Sequence, residues 1–269
     1  MTETTLPEAS GLVVGPDGRA RCSWGGSTPD YLPYHDNEWG RPVRGDDALF
    51  ERMCLEAFQS GLSWLTILRK RESFRAAFDG FAIAKVAAFS EADATRLMAD
   101  TGIVRNRMKV DAAMANARVA ADLPDGLSAL LWGFAPEPRP ERPRSGAEVP
   151  ASTPESKAMA KELKKRGFKF VGPTTAYALM QATGMVDDHL AGCWVPPIGS
   201  GPGRGGPAVL VARARVGPGR AADLRLALGR RVGHAGVRAR RGGQPGPGGR
   251  GRRGLSRPAV AVTRRNSAV

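Results

Sequence analysis

The chain has 269 residues and a formal net charge of +14, a length for one or two domains and a charge that ordinarily indicates a nucleic-acid binder. That charge is confined to one end, because residues 195–269 hold 16 Arg, no Lys and one acidic residue, whereas the rest holds 24 basic and 25 acidic side chains. No run has the length of a signal peptide or a membrane span, so we expect a cytoplasmic protein without a membrane partner, whose reduced thiols act as ligands rather than as disulfides.

Helical patterns dominate the first half of the chain after a flexible extension expected over residues 1–20. Apolar residues spaced as on one helical face follow Asp46 or Asp47, either of which is the predicted N-cap. Further helices are predicted after Ser63, from a Ser90 capping box to Leu97, and over about residues 104–121. No segment alternates convincingly as a strand, so the fold class is predicted to be mainly α.

The second half begins with a proline-rich loop over residues 135–149. Thr153 as cap and Pro154 at the first helical position open a helix that ends near Gly167, and Pro173 opens another. The turn between Gly167 and Gly172 would aim backbone N–H groups and a helix N-terminus outward, which suits a phosphate. The alternative on this pattern is an ordinary helical hairpin with a solvated basic face.

Residues 1–194 carry almost no net charge, so their basic residues must cluster on one surface if this part of the chain binds DNA. Lys169 lies in the turn, and Arg105, Arg107 and Lys109 are expected either to join that surface or to lie on a solvated helix face.

The last segment, residues 198–269, is rich in Arg and Gly and is predicted to be a disordered tail. One interpretation is an arm that binds single-stranded nucleic acid through its charge. The interpretation we favour is a GC-rich gene read in the wrong frame.

Four residues have the composition of a metal site: Cys22, His35, His189 and Cys193. Two thiols and two imidazoles are what a tetrahedral structural zinc site takes, and His189 and Cys193 are spaced i, i+4, as on one face of a helix. The alternative is two buried thiols and two satisfied core histidines.

Glu56 is a carboxylate on a helical face that otherwise points inward, since it shares that face with Leu49 and Met53. Such a residue is either solvated at the edge of the apolar stripe or lines a pocket where it is held for a purpose. Aromatic residues are concentrated beside it in the chain: Trp24, Tyr31, Tyr34, Trp39 and Trp64. This combination describes either a core or a pocket for a flat, electron-poor ring.

The segments RCSW, YHDNEWG, CLEAFQSGLSW and KKRGFKFVGPTTAYALMQATGMVDDHLAGC closely resemble the bacterial 3-methyladenine DNA glycosylase I family over about residues 20–195. The resemblance implies a helix-hairpin-helix DNA glycosylase fold over residues 21–197, with the motif at about 154–184. It also implies one structural Zn²⁺ that joins the N- and C-terminal parts through Cys22, His35, His189 and Cys193. Four protein ligands leave no position for water, so this zinc would not be catalytic.

The activity implied by the resemblance is hydrolysis of the N-glycosidic bond of 3-methyladenine in alkylated double-stranded DNA, which releases the free base and leaves an abasic site. Glu56 would hydrogen-bond the base and stabilise developing positive charge. Trp64 would stack on the base, Tyr34 would add a polar contact, and Tyr31, Trp39 and Trp24 would complete the walls. DNA contacts are implied for Gly167, Lys169, Gly172 and Thr174.

Two questions stay open at the level of the sequence. Asp187 occupies the place of a catalytic aspartate in other helix-hairpin-helix glycosylases, but an acid beside a ligand histidine also serves as support for the metal site. The competing function is a zinc-stapled helical DNA-binding or damage-sensing module without turnover. A monomer is expected in either case.

Overall fold

The computed structural model describes residues 11–198. The first ten residues of the expected extension therefore lie outside the described residues, as does the predicted tail from residue 199 onward. Nine α-helices occur in this described range: α1 Tyr31–Asn37, α2 Asp46–Gln59, α3 Trp64–Ala77, α4 Ile83–Ala87, α5 Glu91–Ala99, α6 Arg107–Ala121, α7 Gly126–Trp132, α8 Pro154–Lys165 and α9 Pro173–Ala182. The prediction of a mainly α fold is confirmed. None of the helices between residues 11 and 198 has the length and apolar composition that a bilayer crossing requires.

Two short strands occur although no segment alternates convincingly as a strand in the sequence. β1 (Leu12–Val14) pairs antiparallel with β2 (Ala20–Cys22), with Leu12 opposite Cys22. Each strand has only three residues, which is too short for an alternating pattern to be recognised in the sequence. The second strand ends on Cys22 and therefore fixes the position of that thiol.

Helix α2 lies at the centre of the fold and packs against α3, α6, α7 and α9. Its buried face contributes Phe58, whose ring lies 4.6 Å from that of Phe74 in α3. Burying an aromatic side chain of this kind contributes about 2 to 3 kcal/mol. This central packing gives α2 a rigid frame from which its polar residues can be presented.

The start of α2 differs from the prediction by one residue, because the N-cap is Gly45 rather than Asp46 or Asp47. Both acids accept hydrogen bonds from the backbone of other helices instead. The Ser128 N–H donates to Asp46 Oδ1 and the Ile83 N–H donates to Asp47 Oδ1, each over 2.8 Å. The two carboxylates therefore satisfy N-terminal amides of α7 and α4, which the local pattern of α2 could not reveal.

The other predicted caps agree with the structure. Ser63 Oγ accepts from the Thr66 N–H at the start of α3, and Ser90 forms a capping box with Asp93. Thr153 caps α8 in the same way. Short polar side chains at these positions satisfy amides that have no partner inside the helix.

The helical placement of two predicted metal ligands is wrong. Helix α9 ends at Ala182, so His189 and Cys193 lie in the irregular segment that follows it. Gly184 has a φ of 68°, and a Cβ atom there would meet the main chain of Arg41 and Pro42. This close approach turns the chain after α9 toward the N-terminal part.

Candidate active site and metal cluster

A cavity of about 280 Å³ lies beside α2 and is small enough to suit a single ring system rather than a large ligand. Its lining residues are Trp24, Tyr31, Tyr34, Trp39, Glu56, Gln59, Trp64, Ala178 and Gln181. The structure thus brings together Glu56 and all five aromatic residues singled out in the sequence. We call this cavity the aromatic pocket.

The Glu56 carboxyl group is buried in the aromatic pocket, with 5% of the residue exposed. Burial raises its pKa from the ordinary value of 4.5 to about 8, and the positive charge of Arg52, one turn earlier on α2, only partly opposes this. No hydrogen bond from residues 11–198 contributes to the pKa of this carboxyl group. The pocket therefore holds an acid that is protonated at neutral pH and has capacity for a new partner.

The aromatic rings form a continuous wall around this acid. Trp24 and Trp39 meet edge to face at 4.9 Å, and the ring of Tyr31 lies 5.6 Å from Trp24. Tyr34 lies 5.3 Å from Trp64 on the α3 side. Burial, and at high pH the negative charge of the ionised Glu56, raise the pKa of the Tyr34 hydroxyl above its usual range, so this group stays a neutral donor.

Gln181 in α9 is a pocket residue that the sequence analysis missed. Its Nε2 donates to Asp188 Oδ2 over 2.8 Å, and the Tyr177 hydroxyl donates to the same oxygen over 2.6 Å. The Arg139 guanidinium lies 2.9 Å from the other oxygen of this carboxylate. A carboxylate only accepts hydrogen bonds, so the orientation of the Gln181 amide is fixed and its Oε1 stays an acceptor.

Three of the four predicted metal ligands form a cluster that we call the Cys/His cluster. The ligand atoms of Cys22, His35 and Cys193 all lie within 4.8 Å of one another, and all three residues are buried. Cys193 Sγ lies 3.7 Å from His35 Nε2. Two ligand atoms on one tetrahedral zinc ion lie about 3.5 Å apart, so this spacing fits such an ion.

His189 borders the Cys/His cluster but is not one of its three mutually close members. Its ring centroid lies 5.1 Å from that of His35, and its Nε2 lies 3.4 Å from the main-chain oxygen of His35. The side chain is 1% exposed, so it contributes to a closed environment around the cluster.

Both histidines are oriented by carboxylates. His35 Nδ1 donates to Asp36 Oδ1 over 2.8 Å, and His189 Nδ1 lies 3.0 Å from Asp187 Oδ1. Because a carboxylate only accepts, each Nδ1 carries a proton, and Nε2 is the ring nitrogen that could bind a metal ion. Carboxylates paired with histidines in this way are typical of metal sites.

Asp187 lies beside the Cys/His cluster and is not among the residues that line the aromatic pocket. Its Oδ2 accepts hydrogen bonds from Arg142 Nε and Nη2 over 3.0 and 2.8 Å. Both oxygens of this carboxylate are thus engaged by His189 and Arg142. These contacts favour a role for Asp187 in orienting the His189 imidazole over a role in catalysis.

Three of the residues predicted to contact DNA, Gly167, Lys169 and Gly172, lie on a hairpin over residues 166–172 that joins α8 and α9, and Thr174 lies in the first turn of α9. Gly167 has a φ of 99°, which favours glycine, and Gly172 is the N-cap of α9. Lys169 and Thr174 are exposed. The hairpin therefore presents a lysine and the N-terminus of a ten-residue helix to solvent.

A second exposed segment, the loop over residues 60–63, lies between pocket residues Gln59 and Trp64. Leu62 is 41% exposed at its tip. Exposed apolar side chains scattered singly are common, but this one lies in a short loop whose two flanking residues line the pocket.

Both alternatives expected for Lys109, a basic surface shared with the hairpin and a solvated helix face, are wrong. Lys109 is 7% exposed, and its Nζ donates to the carbonyl oxygens of Phe58 and Ser60 over 2.7 and 2.6 Å. Arg107, two residues earlier, forms ion pairs with Glu91 and Asp111. Arg107 is exposed and thus agrees with the alternative of a solvated helix face, whereas the main-chain partners of Lys109 hold its charge inside the fold.

Comparison with known proteins gives a consistent family. Residues 24–196 match the family model described as methyladenine glycosylase. The DNA-3-methyladenine glycosylase 1 of Escherichia coli is 46% identical over 181 residues, which cover 66% of this chain and 97% of the relative. The DNA-3-methyladenine glycosylase of Haemophilus influenzae is 43% identical over 177 residues, covering 64% and 96%.

A solved structure of 3-methyladenine DNA glycosylase I from Staphylococcus aureus, concerned with recognition of 3-methyladenine, has a TM-score of 0.62 and 35% identity. The match covers 66% of this chain and 96% of that one.

Proposed function

The chain belongs to the methyladenine glycosylase family, and from this premise we propose that it hydrolyses the N-glycosidic bond of 3-methyladenine in alkylated DNA. The products are the free base and an abasic site. The observation that carries the proposal for this chain is the buried carboxyl group of Glu56 inside a pocket of aromatic rings.

Methylation at N3 gives adenine in DNA a positive charge and weakens its glycosidic bond. A base of this kind must be rotated out of the duplex before an enzyme can enclose it. The rings of Trp24, Trp39 and Trp64 line the pocket and attract a cationic ring through their electron-rich faces. The aromatic pocket thus suits the cationic base better than the neutral one.

The charge of the base also determines the state of Glu56. Ionising a carboxyl group of pKa about 8 at pH 7 costs about 1.4 kcal/mol. A positive charge about 4 Å away stabilises the ionised carboxylate by about 4 kcal/mol at an effective dielectric constant of about 20. The cationic base therefore drives Glu56 to lose its proton, and the resulting carboxylate stabilises positive charge as the bond breaks. A neutral adenine supplies no such charge.

Recognition of the exocyclic amine follows from Gln181. The amine of adenine is a hydrogen-bond donor, whereas guanine has an acceptor at that position. Because Asp188 holds the Nε2 of Gln181, the amide oxygen is the atom left to accept from a bound base. We assign Gln181 a share in the selection of adenine-type bases.

Two exposed segments are assigned to the DNA duplex. The hairpin over residues 166–172 forms a helix-hairpin-helix motif with α8 and α9, in which Gly167, Lys169, Gly172 and Thr174 face a phosphate. Leu62, at the tip of the loop over residues 60–63, enters the space that the extruded base leaves, as apolar side chains do in proteins that unstack DNA. No lysine is needed as a nucleophile, so the enzyme is monofunctional.

We also propose that the Cys/His cluster, with His189 as fourth ligand, holds one structural zinc ion. Two thiols and two carboxylate-oriented imidazoles in a dry environment fit the preferences of Zn²⁺. Such an ion supplies folding free energy and no chemistry at the base.

Incubation of the protein with methylated duplex DNA tests the function, because chromatography identifies the released base. Free 3-methyladenine is expected. Glu56→Gln should lower kcat/KM by about 100-fold, the equivalent of the net 3 kcal/mol or so worked out above, while duplex affinity is kept. The control Glu72→Gln changes an exposed glutamate on α3 and should leave release unchanged. Duplex binding without base release by the wild-type protein would instead indicate a damage-sensing module.

A further inference from the structure

We propose that α6 is a spacer that fixes the distance between the two DNA-facing segments, with Lys109 and Asn116 as positioning residues. The two segments are the loop over residues 60–63 and the hairpin over residues 166–172. The inference rests on the proposed function, because it assigns a role to α6 in base extrusion from DNA.

Lys109 fixes the first segment. Its ammonium group donates to the carbonyl oxygens of Phe58 and Ser60, at the C-terminal end of α2 where carbonyl groups lack partners within the helix. The negative end of the helix dipole adds to the attraction. Lysine is rarely buried to this extent, so the two charge-assisted hydrogen bonds must offset a substantial desolvation cost. The result is a loop whose first residue is held by its main chain.

Asn116 fixes the second segment. The residue is 2% exposed, its Nδ2 donates to the Lys169 carbonyl oxygen over 3.0 Å, and its Oδ1 accepts from the Lys169 N–H over 2.8 Å. The next residue, Phe170, has a φ of 55° although it is not glycine. Such a conformation costs about 1 to 3 kcal/mol and persists only when its surroundings enforce it. The paired amide of Asn116 provides that enforcement.

The two positioning residues lie on one rigid element. They are seven positions apart on α6, hence on the same face and about 10 Å apart along the axis. One helix thus holds the main chain of both segments at a set separation. Extrusion needs the hairpin on its phosphates and Leu62 in the duplex at the same time, and a displacement of about 1 Å can lower a rate about 100-fold.

Lys109→Met and Asn116→Leu remove one anchor each without changing the aromatic pocket. We expect each to weaken binding to a duplex containing a tetrahydrofuran abasic analogue, and to lower kcat/KM on methylated duplex DNA, by about 10- to 100-fold. Affinity for free 3-methyladenine, measured by tryptophan fluorescence, should change less than about twofold because the pocket is intact. The control Leu97→Ala deletes a buried side chain of α5 and should lower stability without changing either affinity.

The double variant distinguishes a spacer from two separate clamps. If α6 sets one distance, loss of either anchor already releases it, and the second substitution should add little. Losses that multiply would overturn the spacer, as would single variants that bind the duplex normally. Equal loss of duplex and free-base affinity would also overturn it, because that pattern indicates general destabilisation.

Where a variant fails to fold, as judged by circular dichroism, Lys109→Gln or Asn116→Asp takes its place, since each retains part of the hydrogen bonding. If the wild-type protein released no base, that result would refute the proposed function. The spacer itself is judged by the difference between the variants and the wild-type protein.

Discussion

Replacing Glu56 by glutamine should make the protein more stable at neutral pH while it lowers kcat/KM for base release by about 100-fold. Burial raises the pKa of Glu56 from 4.5 in an exposed setting to about 8 in the folded protein. The folded state therefore keeps a proton that the unfolded state loses above pH 4.5. Stability linked to this group is complete below that pH and is lost as pH rises through about 8.

The magnitude follows from the linkage relation. Each pH unit within this window lowers the free energy of unfolding by about 1.4 kcal/mol, so the loss at pH 7 is about 3 kcal/mol. Glutamine cannot ionise, and Glu56→Gln should therefore exceed wild type in stability by an amount that grows from near zero at pH 4.5 to about 3 kcal/mol at pH 7.

Urea unfolding followed by tryptophan fluorescence at several pH values between 5 and 7.5 measures this difference. Glu72→Gln, at an exposed position, should run parallel to wild type. The same proton should appear in the kinetics, where wild-type kcat/KM rises with pH toward about 8 as the free enzyme ionises. A stability difference between wild type and Glu56→Gln that is independent of pH would refute the reasoning.

Four further predictions concern single parts of the molecule. Trp64→Ala should weaken binding of free 3-methyladenine by about 1 to 3 kcal/mol in fluorescence titrations, and unchanged affinity would remove it from the stacking role. Cys193→Ser should lower the zinc content, measured by elemental analysis, and the melting temperature. A chelator should destabilise the wild-type protein in the same way. A metal-free wild-type protein with an unchanged melting temperature would disprove the zinc site. Asp187→Asn should lower stability but leave turnover per folded molecule unchanged at equal zinc content, whereas a large fall in turnover would assign it to catalysis. A chain ending at residue 197 should keep its DNA affinity and base release, and a large loss of either would give the tail a function.

Much of the fold could be predicted because its signals are local. The capping boxes at Ser90 and Thr153 act over three residues, and the apolar stripe of α2 is visible in its own sequence. The same stripe left Glu56 either solvated at its edge or directed into a pocket, and only the packed structure shows that it is buried. What this spacing could not give was the pKa, which depends on how α3 and α9 close over the carboxyl group.

The missed features depend on partners far away in the chain. Lys109 lies on the face of α6 that also buries Ala113 and Asn116, so its periodicity carried a signal that its charge concealed. Gln181 could not be identified as a pocket residue because its orientation depends on Asp188, which follows the end of its helix.

The position of the Cys/His cluster explains why a structural site should matter to base recognition. Cys22 precedes Trp24 by two residues, and His35 precedes Trp39 by four, so each ligand segment also carries a wall of the aromatic pocket. The ring of His35 lies 5.2 Å from that of Trp24, and the ring of His189 lies 4.8 Å from that of Trp39. Both tryptophans lie in turns outside the helices, and ordering such backbone costs conformational entropy that contacts with the Cys/His cluster offset. A four-coordinate zinc ion that fixes both histidines would keep the indole rings of Trp24 and Trp39 in place across the pocket from Glu56 of α2 and Trp64 of α3. Loss of the ion should therefore weaken the affinity for the base even in molecules that remain folded.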